Sequence, residues 1–185
     1  MKRIDSNRAP SRVSTRRPVY RGEVVDLGIE RVDLPGGGRL DLEVVRHPGG
    51  AAVVAVDRRG RVCLIRQYRH AAGGWIWEIP AGKRAPGEDP LETARRELAE
   101  EAGVRARTWL ALGSILPTPG FCDEEVFLFL ARDLEPCGTD HGTHELIEVH
   151  WVDLDEARER ALRGDLRDAK TVVGLLRAAG VEAPP

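Results

Sequence analysis

Apolar and polar residues alternate through much of the first half of the chain, the period of a strand rather than of a helix. A strand-like stretch runs from Val19 to Leu34 and meets Gly36-Gly37-Gly38, a run that can supply positive φ for a turn. A second stretch covers residues 39–46. The apolar stretch 51–57, the charged turn Arg58-Arg59-Gly60 and the stretch 61–68 read together as a hairpin. Residues 75–79, 105–115, 125–131 and 147–152 complete the expected strands. Helical spacing is confined to 90–102, 154–163 and 168–179, and no internal repeat of solenoid period is present. The mixed, largely non-alternating order predicts the α/β class.

Composition narrows the range of functions. A chain of 185 residues has the size of one domain with a tail or appendage. A formal charge of −2 excludes a bulk polyanion binder, so no nucleic-acid partner is expected. The longest apolar run, Ala51 to Val56, falls far short of the ~20 residues that span a bilayer, and no charged-then-apolar leader opens the sequence. Cys63, Cys122 and Cys137 form no CxxC pair, which argues against a disulfide framework and against a zinc ribbon. The expectation is a soluble cytoplasmic protein without a membrane partner. The average charge conceals a gradient. Residues 1–18 hold six basic residues and one acid, leaving 22 basic and 29 acidic residues in the remainder. This basic start has few apolar side chains to offset ordering entropy and is expected to be a disordered tail. Its Arg- and Ser-rich, acid-poor texture also fits a transit peptide, although it lacks an amphipathic stripe.

The segment 89–103 specifies a helix locally. Asp89 is a good N-cap, Pro90 suits the first position, Glu92 offers a capping-box variant, and Gly103 stands where a left-handed C-terminal residue is wanted. At about 100° per residue Leu91, Ala94, Leu98 and Ala102 share an apolar face, and Glu97, Glu100 and Glu101 crowd the neighbouring one. That crowding is unfavourable in itself. Like charges three and four apart cost a few tenths of a kcal/mol each, and carboxylates in the last turns oppose the helix dipole by roughly 0.3–1 kcal/mol apiece. A solvated charged face is the ordinary meaning of such a run.

The flanks give it another. Gly82, Glu88, Arg96-Glu97-Leu98, Glu100-Glu101 and Gly103-Val104 fill every specified position of Gly-x5-Glu-x7-Arg-Glu-U-x-Glu-Glu-x-Gly-U, where U is aliphatic. The stretch resembles the Nudix box. That resemblance implies a Nudix-type α/β/α sandwich with a mixed sheet, extended here by an N-terminal antiparallel β segment over 19–47 ahead of a hydrolase domain over 48–185. It also implies that the carboxylates hold divalent cations on a diphosphate, Mg2+ with Mn2+ as the alternative. By position, Glu97, Glu101 and the carbonyl of Ala81 would be ligands and Glu100 a ligand or a supporting residue. Arg96 would orient the carboxylates, Glu88 would anchor the loop to the helix, and Gly82 would permit close backbone approach.

Three further stretches are similar to the ADP-ribose pyrophosphatase branch. They are Arg66-Gln67-Tyr68-Arg69 with Trp77-Glu78-Ile79-Pro80-Ala81-Gly82, then Pro117-Thr118-Pro119-Gly120-Phe121-Cys122-Asp123-Glu124, and the N-terminal β segment, which in relatives helps build a dimer. The implied activity is hydrolysis of ADP-ribose to AMP and ribose 5-phosphate by a homodimer. Another nucleotide sugar such as GDP-mannose is the alternative substrate, and a silent nucleotide-sensing module is the alternative class, against which the unbroken box argues. Arg69 is expected to contact phosphate and Glu124 a ribose hydroxyl, with Thr118 in the same substrate-binding stretch. Arg46 and His47 are weaker candidates. Trp75 and Trp77 are either core residues or, in one case, an adenine platform, with Trp77 the candidate. The branch takes its general base from a glutamate on a loop before a late strand. The matching stretch 142–150 offers Glu145 at the loop edge and Glu148 inside the strand. His141 and His144 are expected at the rim rather than on zinc.

Overall fold

The computed structural model describes residues 12–34, 36–142 and 146–181. The chain divides into two compact units, one made of the residues up to His47 together with Thr118–Glu124, the other of Pro48–Pro117 and the residues from Glu125 onward.

The first unit is a three-stranded antiparallel sheet in the order β1 (Arg12–Arg21), β2 (Asp26–Asp33), β3 (Arg39–Arg46). Two sequence expectations change here. The stretch 19–34 is two strands, divided by a tight turn in which the Gly22 amide donates to the Val25 carbonyl at 2.8 Å. Strand structure also begins at Arg12, so residues 12–18 belong to β1 rather than to a disordered tail; residues 1–11 lie outside the described residues. Within this stretch Arg16 is held by charge pairing rather than by apolar burial. Arg16 reaches Asp26 at 2.6 Å and the buried carboxylate of Glu30 at 3.2 Å across β2.

The second unit is built on β4 (Gly50–Ala55), every residue of which is buried. Such a strand must be covered on both faces. Its alternate side chains do belong to two cores. Ala51, Val53 and Ala55 pack with Ala94, Leu98 and Ala102 of helix α1 (Pro90–Ala102). Ala52 and Val54 pack with Ala157 and Ala161 of α2 (Leu154–Arg163) and Leu175 and Ala178 of α3 (Ala169–Ala179). The result is an α/β/α sandwich. One sheet runs β7 (Ala81–Lys83), β4, β9 (Val126–Pro136), β8 (Val104–Ile115), with β4 and β9 parallel and the other pairs antiparallel. The other runs β10 (Ile147–Asp153), β5 (Arg61–Arg69), β6 (Gly74–Glu78), all antiparallel.

The expected hairpin of β4 and β5 is not a ladder. The two strands meet in the turn at Arg58-Arg59-Gly60 and at a single bridge, Val56 to Val62, and then enter different sheets. Both edges of β4 are already taken, by β7 and β9. An uninterrupted apolar run marks a central strand, and a central strand has no edge left for its sequence neighbour.

Candidate active site

Helix α1 is fixed at its start by Asp89, whose side chain accepts the Leu91 amide at 2.8 Å, with Pro90 following. Glu92 does not close a capping box; it turns to Arg95 at 2.6 Å. At the other end Gly103 adopts φ 65°, a left-handed conformation that favours glycine. No basic residue stands in the last turn. The terminal carbonyls are satisfied by the segment that follows β9. Asp140 donates its amide to the Glu100 carbonyl at 2.9 Å, Cys137 donates to the Gly103 carbonyl at 2.8 Å, and His141 Nε2 lies 2.9 Å from the Glu101 carbonyl. His141 thus joins the helix end, while His144 and Glu145 lie outside the described residues.

The acidic face of α1 is organised by Arg96. Its guanidinium reaches Glu97 at 2.6 Å, Glu100 at 3.1 Å, Glu88 at 3.1 and 3.2 Å, and the Lys83 carbonyl at 3.1 Å. Glu88 also accepts the Ala85 amide at 2.8 Å, so it ties the preceding loop to the helix. The Arg96 fork and that amide hold its carboxyl far below the ordinary range, at about 2. Glu101 is in the opposite state. It is 4% exposed, and burial, with the Glu97 charge adding to it, pushes its carboxyl up to about 8 despite the Ala81 amide donated to Oε2 at 2.8 Å. The Cys63 thiol lies in the same interior, pushed up to about 12 by burial and by the Glu101 charge, and is therefore no nucleophile.

Gly82 is required by close approach. A Cβ built there would stand 1.9 Å from Glu97 Oε1. Backbone and carboxylate are pressed together at the mouth of the site. Among the described residues no three acidic, His or Cys side chains already converge on one point, since Arg96 holds Glu97 and Glu100 while the Ala81 amide holds Glu101. The donor set nevertheless fits a hard divalent cation. It is made of hard carboxylate oxygens, and one of them is a buried carboxyl whose charge is resisted until a cation arrives. Ala81 enters through its amide, which leaves the role expected of its carbonyl compatible with this contact.

The substrate candidates separate by unit. In the second unit Arg69 ends β5 with a two-pronged contact to Glu78, at 2.7 and 2.9 Å. Trp77 is packed against the core, with His150 edge-on at 4.8 Å and Arg160 at 5.1 Å. Trp75 is the more open ring, beside Tyr68 and Arg66. Glu148 is paired with Arg66 at 3.4 Å, and its neighbours Val149 and Trp151 take the face of β10 that packs with α1. In the first unit Arg46 grips Glu30 at 2.6 and 2.7 Å and Asp123 at 2.9 Å, His47 lies 3.5 Å from Glu124, and Thr118 accepts the Cys122 amide at 3.0 Å in an exposed turn.

Sequence reasoning missed Glu78, Lys170 and Gln67. Glu78 is 1% exposed and holds both Arg69 and Lys170, the latter at 2.5 Å. Burial alone would raise its carboxyl, but the two cations outweigh burial and hold it below its ordinary value. Gln67 is buried on β5 with an Oε1 that has no partner among the described residues. Glu78 and Gln67 stand inside family-like stretches without an assigned role, whereas nothing near Lys170 in the sequence signals its partner.

Comparison with known proteins agrees with the box. The NUDIX domain model matches residues 46–173. An ADP-ribose pyrophosphatase of Mycobacterium tuberculosis is 39% identical over 161 residues, which are 85% of this chain and 78% of the relative. An ADP-ribose pyrophosphatase of Bacillus subtilis is 38% identical over 159 residues, covering 85% and 86%. The fold is shared with a crystal structure of an ADP compounds hydrolase, with a TM-score of 0.78 at 22% identity over 93% of this chain and 94% of that one. An unbroken box on a buried acidic helix, matched by the family over most of the sequence, makes this chain a member of the Nudix hydrolase family.

Proposed function

We propose that this protein hydrolyses ADP-ribose to AMP and ribose 5-phosphate with Mg2+, or with Mn2+ in its place, as a cytoplasmic homodimer. The observation that carries the reading is the buried carboxylate pair Glu97 and Glu101 beside Arg96. The names of the two bacterial relatives supply the substrate. Glu97, Glu100, Glu101 and the Ala81 carbonyl would hold the cation, which when bound neutralises charge developing on the diphosphate and activates water. Arg96 keeps the carboxylates in register. Arg69 offers phosphate the edge that Glu78 does not occupy. Glu145 accepts the proton of the attacking water, because Glu148 lies on the strand face opposite to that packed with α1. Arg46, Thr118 and Glu124 are the further substrate-binding candidates, and Trp77, packed against the core on the same strand face as Glu148, takes the core reading rather than that of an adenine platform. The exposed apolar residues Val19, Tyr20, Leu40 and Leu42 of the first-unit sheet support self-association.

The test is product analysis with Mg2+, together with light scattering for the dimer. AMP and ribose 5-phosphate should appear and chelator should stop them. Release of GMP from GDP-mannose, with ADP-ribose untouched, would move the substrate. Glu145→Gln should lower kcat about a hundredfold while metal affinity holds. Full activity in that variant would place the base elsewhere.

A further inference from the structure

The N-terminal end of α3 is bound to the strand that enters the box. Asp168 caps the helix, accepting the Thr171 amide at 3.0 Å and the Thr171 hydroxyl at 2.6 Å. The Thr171 oxygen in turn accepts the buried Ile79 amide at 2.8 Å. Lys170 bridges Asp168 at 3.0 Å and Glu78 at 2.5 Å. Two residues beyond Ile79, Ala81 donates to Glu101. Residues 78–81 are thus pinned from α3 on one side and from the acidic helix on the other.

Glu78 is buried and shared. Arg69 uses Nε and Nη2 on it, and Nη1 has no hydrogen-bond partner among the described residues. The Arg69 side chain is 42% exposed, whereas Lys170 is 15% exposed and has both of its contacts on carboxylates. A lysine so placed is not a surface charge. A carboxylate with a single long partner can follow that partner's motion, and one held from two sides cannot.

We propose that Lys170 is a positioning residue for the hydrolysis: it fixes Glu78 from α3, so that Glu78 holds Arg69 with its open edge toward the substrate diphosphate. The inference rests on the reading of Arg69 as a phosphate contact. Lys170 itself touches no reacting atom. Its loss leaves the cation ligands of α1 in place and loosens the group that orients phosphate.

Steady-state kinetics on ADP-ribose with Mg2+ test this with Lys170→Met, Lys170→Arg, Arg69→Ala and the double variant Lys170→Met/Arg69→Ala. Lys170→Met should raise KM about tenfold and lower kcat by less than about threefold, since a misplaced binding group costs mainly binding. Lys170→Arg, which keeps the charge and reach, should restore most of the loss. The double variant should be no worse than Arg69→Ala by more than about twofold, because residues acting through one another are not additive. Calorimetric titration with Mg·ADP makes the same comparison without turnover, so a different sugar as true substrate does not mask the result. Additive losses overturn the proposal, as does wild-type KM and ADP affinity in Lys170→Met while Arg69→Ala is impaired. If Arg69→Ala itself binds and reacts normally, the Arg69 reading fails and Lys170 with it.

Discussion

Glu101→Gln should cost at least about a hundredfold in turnover with Mg2+ and, in the same protein, raise the stability of the metal-free fold. The two effects have one origin. The Glu101 carboxyl is pushed up to about 8 by burial and by the Glu97 charge. In the unfolded chain it titrates near its ordinary value, so between about pH 4.5 and pH 8 the folded protein holds a proton that the unfolded chain has released. Stability therefore falls as pH rises through that window, by a few kcal/mol in all, each pH unit within it removing about 1.4 kcal/mol. The amide of Gln removes the charge while keeping an oxygen for the Ala81 amide. Urea unfolding with chelator should show wild-type stability declining from pH 5 to pH 8 and the variant nearly flat, the variant being more stable at pH 8. Added Mg2+ should stabilise the wild type most at high pH, where cation and proton no longer compete. A variant that is active would remove Glu101 from the cation site, and a wild type whose metal-free stability is indifferent to pH would overturn the raised titration of its carboxyl.

The second large effect is expected from one methyl group. Gly82→Ala places a Cβ 1.9 Å from Glu97 Oε1, so the carboxylate must leave its position. Glu97 is flexible at its far end, and the cost to the fold is small, under about 1 kcal/mol, because a side chain rather than backbone yields. The cost to the reaction is not small. Displacing a carboxylate proposed to hold the cation by an ångström or more should lower kcat/KM about a hundredfold and weaken Mg2+ binding, with a thermal midpoint close to wild type. A large drop in the midpoint with a normal rate per folded molecule would mean that Gly82 serves the fold and not the site.

What can be read in the sequence is local. Asp89, Pro90 and Gly103 bound α1 within a single segment, and the helix runs as its caps dictate. The acidic face is legible because its spacing is unfavourable for a helix alone. What escapes is long-range. The apolar run of β4 says that the strand is buried but not which strands flank it, so sequence proximity alone joins it to β5. Arg16 of β1 looks unordered in the sequence because its acidic partners lie across the sheet, on β2. Lys170 reaches a carboxylate 92 positions away, and no periodicity carries that distance.

The parallel pairing of β4 with β9 joins residues 50–55 to 126–131, and the whole of the Nudix box lies inside the chain enclosed by that pairing. The most compact signal in the sequence is therefore placed by one of the least local contacts in the fold. Contacts of that separation carry a loop-closure entropy that must be met before they are rewarded, and they form late. In the native fold Ala94 and Leu98 pack on Ala51 and Val53 of this central strand, and Glu97 and Glu101 of the same helix are buried. The box is a motif to the reader of a sequence but not a module to the folding chain: the burial of its carboxylates comes into being only with the native sheet, so that an excised copy carries the letters of the site without its environment.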